Sequence, residues 1–202
     1  MGVKMLRFDS IKQLIADLDD EVVVVGNLGP TSDEMWHARD REKNYYTYGS
    51  MGLCSSIALG ISLNYDNKVV AFDGDGSILM NLGSLATIGR EHPSNLIVLI
   101  WDNEMWGQVG RQYSHTHYRT NLEEISKGSG INHTATVENI QQLKIAFSKA
   151  LSSNGPWVII AKIEEGEYLP VAPVEPEKTT YRFRESMLKI LNLKSDFSRS
   201  NY

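Results

Sequence analysis

The chain has 202 residues with a formal net charge of −5, and hydrophobic residues make up 42 % of it. That is enough apolar material for a core in one large α/β domain, and an acidic balance with no basic stripe argues against nucleic acid as a partner. Its single cysteine, Cys54, excludes an internal disulfide framework, a cysteine zinc site and a cysteine-ligated iron–sulfur cluster within this chain. No apolar run approaches the ~18 residues of a membrane span, and the N-terminus lacks a secretory pattern, so a cytoplasmic protein is expected.

In chain order, Ile11, Leu14, Ile15 and Leu18 share one helical face and predict a short helix over 11–18. Four valines from Val22, closed by Gly26, predict a strand buried on both faces, the pattern of a parallel sheet. Residues 26–33 read as a loop. Gly52, Ser55, Ser56, Ala58 and Gly60 fall in a predicted helix over 50–63, its small side chains suited to close packing, with Cys54 a packed small residue. A turn leads to a second buried strand at 69–72 and a loop at 73–77. A helix carrying Leu79, Leu82, Leu85, Ala86 and Ile88 then runs to His92-Pro93. A third strand at 96–101 ends in a loop from Asp102. Ile140, Leu143, Ala146, Phe147 and Leu151 predict a helix from about Val137, and a fourth strand follows the Gly155-Pro156 turn at 157–163. The stretch 170–178 reads as an extended arm, 183–191 as a final helix and 194–202 as a frayed end. Alternating strands and helices predict an α/β fold, three layers with a mostly parallel central sheet, the whole of 1–202 forming one domain with 170–202 as arm and C-terminal helix.

Ligands of such sheets bind beyond the carboxyl ends of the strands. Three predicted loops stand there: Gly26-Asn27-Leu28-Gly29, Asp73-Gly74-Asp75-Gly76-Ser77 and Asp102-Asn103-Glu104. Gly74 and Gly76 let backbone approach a phosphate closely, and Ser77 stands where a helix opens with free N–H groups. A lone carboxylate, Asp75, would repel that phosphate unless a cation lay between them. Magnesium takes one or two protein oxygens together with phosphate oxygens and water, and Asn103 can supply a neutral oxygen if the second and third strands are neighbours.

Gly74-Asp75-Gly76, followed twenty-eight positions after Asp75 by Asn103, resembles the magnesium–diphosphate signature of thiamine-diphosphate (ThDP) enzymes. Asp102 stands where that family commonly has a first Asn. The resemblance implies ThDP and Mg2+ as cofactors, with Asp75, the Asn103 amide oxygen and the Met105 carbonyl as metal ligands. Asn27, Gly29, Gly74, Gly76 and Ser77 would line the cofactor. A second segment, Tyr48-Gly49-Ser50-Met51-Gly52, is similar to the one that supports the aminopyrimidine in ThDP decarboxylases. There the carbonyl at the Gly49 position accepts a hydrogen bond from the cofactor's amino group, beside Ser50, and the side chain at the Met51 position wedges between its rings. Within the family the likeness runs to sulfopyruvate decarboxylase β subunits and to the C-terminal halves of phosphonopyruvate decarboxylases, over roughly residues 22–131. Leu28 departs from the usual Thr.

The resemblance also implies an absent piece. The glutamate that activates ThDP lies on a separate pyrimidine-binding domain. Little chain precedes Val22, so that glutamate is expected on a partner, an α subunit, in an α2β2 or larger hetero-oligomer. The loops at 26–32, 46–51 and 102–110 are expected to meet it, with Met35, Trp36, Met105 and Trp106 available for burial there. In the segment 107–119, His115 and His117 are candidates for proton relay, and Arg111 or Arg119 for the anionic tail of a small 2-oxo acid; the bland alternative is a solvated basic loop. The leading expectation is a subunit of a ThDP- and Mg-dependent decarboxylase of 3-sulfopyruvate. Alternatives are a phosphonopyruvate decarboxylase subunit, a 2-oxoacid oxidoreductase β subunit, which the lone cysteine disfavours, and a non-catalytic ThDP-binding module.

Overall fold

The computed structural model describes residues 5–164 and 166–190. Six parallel strands form one sheet: β1 Val23–Gly26, β2 Asn44–Tyr46, β3 Val69–Gly74, β4 Leu96–Asp102, β5 His133–Val137 and β6 Trp157–Lys162, in the order β2-β1-β3-β4-β6-β5. The valine run of β1 serves both sides of the sheet. Val24 joins a core under helices α1 (Arg7–Ile15), α2 (Pro30–Ala38) and α7 (Ile140–Ser152). Val23 and Val25 join a second core under α3 (Cys54–Ser62), α4 (Asp75–Met80), α5 (Gly83–Glu91), α6 (Leu122–Gly128) and α8 (Pro176–Ile190). Each fully buried Val or Ile contributes about 1.5–3 kcal/mol of transfer free energy, which is why the sheet's centre is an almost unbroken apolar slab. The predicted three-layer α/β architecture is therefore the observed one.

Several local expectations change. Residues 26–33 are not one loop, because Pro30, pre-set for a first helical turn, starts α2 there. The 73–77 loop is absent as well: β3 runs through Gly74 and α4 begins at Asp75. The helix expected up to His92 is two helices, broken where Asn81 leaves helical geometry. The helix expected from Val137 starts at Ile140, where the Asn139 side chain caps it by accepting from Gln142 N–H, and residues before it form edge strand β5. Strand β2 and helices α2 and α6 had no clear apolar period and were not predicted. The arm is shorter than 170–178, since α8 starts at Pro176. The frayed end expected at 194–202, and the last residue of the expected 183–191 helix, lie outside the described residues. Cys54 is packed as expected, its Sγ directed at the carbonyls of Val25 and Phe72. Gly60, by contrast, is exposed with nothing near it.

Candidate functional site

The strand order places two chain reversals on the sheet, and the one at β1/β3 opens a crevice at their carboxyl ends. One cavity there is lined by Asn27, Met51, Gly74, Asp75, Gly76, Ser77, Asn103 and Met105, together with Trp106 and Gln108. Thus the ends of β1, β3 and β4 converge as the motif spacing requires. β3 and β4 are direct neighbours, with Gly74 paired to Trp101. Gly29, Gly49 and Ser50 do not line the cavity themselves. A Cβ on Gly29 would lie 2.7 Å from the Gln108 side chain, so that glycine lets Gln108 close against the first loop.

Asp75 is buried, and its Oδ2 accepts hydrogen bonds from Ser114 Oγ at 2.5 Å and, more weakly, Thr116 Oγ1 at 3.3 Å. No described cation pairs with it. Burial pushes its carboxyl up to about 6, Ser114 pulling it back and the nearby Asp102 charge raising it further. Asn103 Oδ1 accepts from Met105 N–H at 3.2 Å, which uses one lone pair and leaves the other. Asn27 Oδ1 is buried without a hydrogen-bond partner. A raised carboxylate, an amide oxygen with spare capacity and an orphaned polar atom around one cavity fit a hard cation bridged to a phosphate. The residues present therefore suit Mg2+ with a diphosphate.

The 48–52 segment is tied rigidly to the 74–81 stretch. Ser77 Oγ accepts from Gly52 N–H at 3.0 Å, and Asn81 Nδ2 donates to the Gly52 carbonyl at 2.9 Å. Gly49 and Gly52 hold φ of +72 and +87, the left-handed region that suits glycine. Met51 reaches back so that its Cε lies 3.4 Å from a Cβ built on Gly76. Beneath both, buried Asp73 accepts from Ser55 Oγ at 2.6 Å and Ser55 N–H at 3.1 Å, locking α3 to β3. Burial raises the Asp73 carboxyl, opposed by these donors.

Beyond β4, residues 103–118 form a flap pinned by an antiparallel bridge between Met105 and Tyr113. The Trp106 ring lies 2.8 Å from a Cβ built on Gly76, so only glycine allows it to settle there. His115 and His117 stand on a 3-10 turn (His115–His117), both exposed and outside the cavity lining. His117 stacks on Tyr113 and its Nδ1 sits 3.2 Å from Glu104 Oε2, while His115 meets the edge of Trp106. Their neighbours Ser114 and Thr116 are the residues that turn inward. The Arg111 guanidinium lies 5.9 Å from the centre of the Tyr168 ring, and Tyr168 lines the cavity. Of the apolar groups expected at an interface, Met35 is fully buried in the core because Gly26 packs against its end. Val109 and Tyr168 line the cavity and are exposed.

The sequence reading did not single out Asp73, Ser55, Ser114, Thr116 or Lys162 as site residues. Asp73 adjoins the Gly74-Asp75-Gly76 motif, Ser114 and Thr116 flank His115, Lys162 ends a strand, and Ser55 carried no signal beyond its small size. No described helix is long and apolar enough to cross a membrane.

The chain is 45 % identical over 182 residues to the sulfopyruvate decarboxylase subunit beta of Methanocaldococcus jannaschii, covering 90 % of this chain and 96 % of that one. It is 33 % identical to the phosphonopyruvate decarboxylase of Streptomyces hygroscopicus, covering 89 % of this chain and 45 % of that protein. A ThDP-dependent 4-hydroxybenzoylformate decarboxylase from Rhodococcus jostii superposes with a TM-score of 0.70 at 19 % identity over 83 % of this chain and 34 % of its own, a likeness of fold. The model of the thiamine pyrophosphate enzyme C-terminal TPP-binding domain matches residues 25–161, from the end of β1 to the end of β6 and across every loop described above, and the chain belongs to that family.

Proposed function

We propose that this chain is the β subunit of a ThDP- and Mg2+-dependent decarboxylase whose substrate is 3-sulfopyruvate, releasing carbon dioxide and sulfoacetaldehyde. The observation that carries it is the convergence of Asp75, Asn103 and Asn27 on one cavity in a chain nearly half identical to a named sulfopyruvate decarboxylase β subunit. In this reading Asp75, Asn103 and the Met105 carbonyl hold the metal, and Asn27, Gly29 and the Gly74–Ser77 backbone hold the diphosphate. Gly49, Ser50 and Met51 hold the pyrimidine side. When bound, ThDP supplies the sink for the electrons freed as the C1–C2 bond breaks. The chain's own part is to fix that group, to exclude water under Trp106 and Gln108, and to move a proton to the carbon that carbon dioxide leaves. His115 and His117 are the candidates for that proton, and Arg111 or Arg119 for the sulfonate.

The activating glutamate belongs to a pyrimidine-binding α subunit in an α2β2 or larger cytoplasmic assembly. The name of the M. jannaschii relative as a subunit, matched over nearly its whole length, supports this division. The phosphonopyruvate decarboxylase relative favours one second reading, the same chemistry on 3-phosphonopyruvate. The experiment measures carbon dioxide release from both acids by this chain alone and mixed with the α subunit. Turnover is expected only in the mixture, faster with sulfopyruvate, and lost when the α-subunit glutamate becomes glutamine. Full turnover by the purified chain alone would refute the split site.

A further inference from the structure

Lys162 ends β6, paired in register with Asp102 at the end of β4. Its Nζ lies 2.7 Å from Asp102 Oδ2 and 2.8 Å from Glu104 Oε1. Those two carboxylates belong to the residues on either side of Asn103. Asp102 is buried, and its other oxygen accepts from Thr116 Oγ1 at 2.7 Å, the hydroxyl that also reaches Asp75. Glu104 sits at φ +60, a left-handed conformation that a residue with a Cβ seldom holds unless its surroundings impose it. Its carboxylate is gripped by Lys162 on one oxygen and by His117 on the other.

We propose that Lys162 is a positioning residue for the metal site. By clamping both neighbours of Asn103 it sets how the Asn103 amide faces the Asp75 carboxylate. The inference rests on the metal-site reading above. Removing the ammonium would leave buried Asp102 without its counter-charge and release Glu104 from its strained turn, so the loop would shift. Magnesium demands near-octahedral ligands at ~2.0–2.1 Å, whereas calcium accepts looser and longer geometry. A displaced Asn103 should therefore cost magnesium more than calcium, a selectivity change that a general loss of stability would not produce.

The test uses the α–β complex with ThDP and follows tryptophan fluorescence, since Trp101 and Trp106 line the cavity, as Mg2+ or Ca2+ is added. Lys162→Met is expected to raise the half-saturating Mg2+ concentration about 10–100-fold, the range for lost outer-shell partners, with a smaller rise for Ca2+. Lys162→Arg, which can still bridge both carboxylates, should recover most of the affinity. Glu104→Gln removes one arm only, should show a smaller shift in the same sense, and stands in if Lys162→Met does not fold. Unchanged Mg2+ saturation in the variant that folds, or equal losses for the two metals, would overturn the inference. Absence of Mg2+-dependent ThDP binding in the unsubstituted complex would instead sink the metal-site reading, and this inference with it.

Discussion

Ser114 donates its hydroxyl to Asp75 Oδ2 at 2.5 Å across 39 positions of sequence, so the flap after β4 is tied to the carboxylate at the end of β3. On the proposed metal site, Ser114→Ala should therefore weaken Mg2+ binding about 10-fold, as loss of a partner to a metal ligand does. The pH profile carries the same information. Asp75 is raised to about 6, so below that value Mg2+ must displace a proton, and affinity should fall as pH drops through it and level off above. Because Ser114 holds the value down, its loss should move the break to higher pH. Calorimetric Mg2+ titrations across pH 5–8 in the presence of ThDP decide this; a break that stays put would count against the tie.

Asp75→Asn should separate binding from stability. A carboxyl raised by burial from 3.8 to about 6 is one whose ionised form the fold disfavours, so it costs stability once pH exceeds the unfolded value and the full cost is present above about 6. At pH 7 the metal-free variant should be more stable than the original chain, by at most ~3 kcal/mol at ~1.36 kcal/mol per unit, less whatever the lost hydroxyl donors contributed. The same variant should lose Mg2+-dependent ThDP binding. Denaturant melts paired with calorimetry give both readouts, and retained ThDP affinity would remove the central role of this residue.

Gly89 tests packing outside the lining of the cavity. A Cβ built there lies 1.8 Å from the carbonyl oxygen of Ser129, which follows α6, and backbone cannot swing aside as a side chain can. Gly89→Ala should push α5 away from the end of α6 at a cost of about 1–3 kcal/mol. The unfolding midpoint should drop while ThDP binding to the folded complex is unchanged. A midpoint within error of the original would show that the helices separate freely.

The docking of α8 should depend on pH. Burial would raise the Asp40 carboxyl, but Arg182 and the Tyr46 hydroxyl, at 2.6–2.7 Å, reverse that and leave it below its ordinary value. A lowered carboxylate contributes stability that is whole above the unfolded value and disappears as pH falls through the folded one. Asp40→Asn should mimic that acid state at neutral pH. Amide exchange in α8 is expected to quicken in the variant, and in the original chain only below the usual carboxylate range. Equal exchange rates at pH 7 would show that Phe183, packed on Tyr45, holds the helix unaided.

The sequence by itself determined the interior strands and the Gly74-Asp75-Gly76 motif with Asn103 after it. β1, β3, β4 and β6 are covered on both faces, so each reads as an apolar run. Gly76, beside Asp75, marks a close approach, since the Trp106 ring lies 2.8 Å from a Cβ built there. Edge strands β2 and β5 carry no such signal, since Asn44–Tyr46 is three residues long and most of His133–Val137 is exposed or half-buried. Only the tertiary structure decided which flap side chains reach the strand-end carboxylates. His115 and His117 are the chemically conspicuous pair, yet the turn after Ser114 points them outward and brings Ser114 and Thr116 onto Asp75 and Asp102. Lys162 is likewise an ordinary lysine in sequence. It meets both neighbours of Asn103 because β6 lies beside β4, a pairing set by strand order and by burial of the whole sheet, which no local pattern of residues encodes.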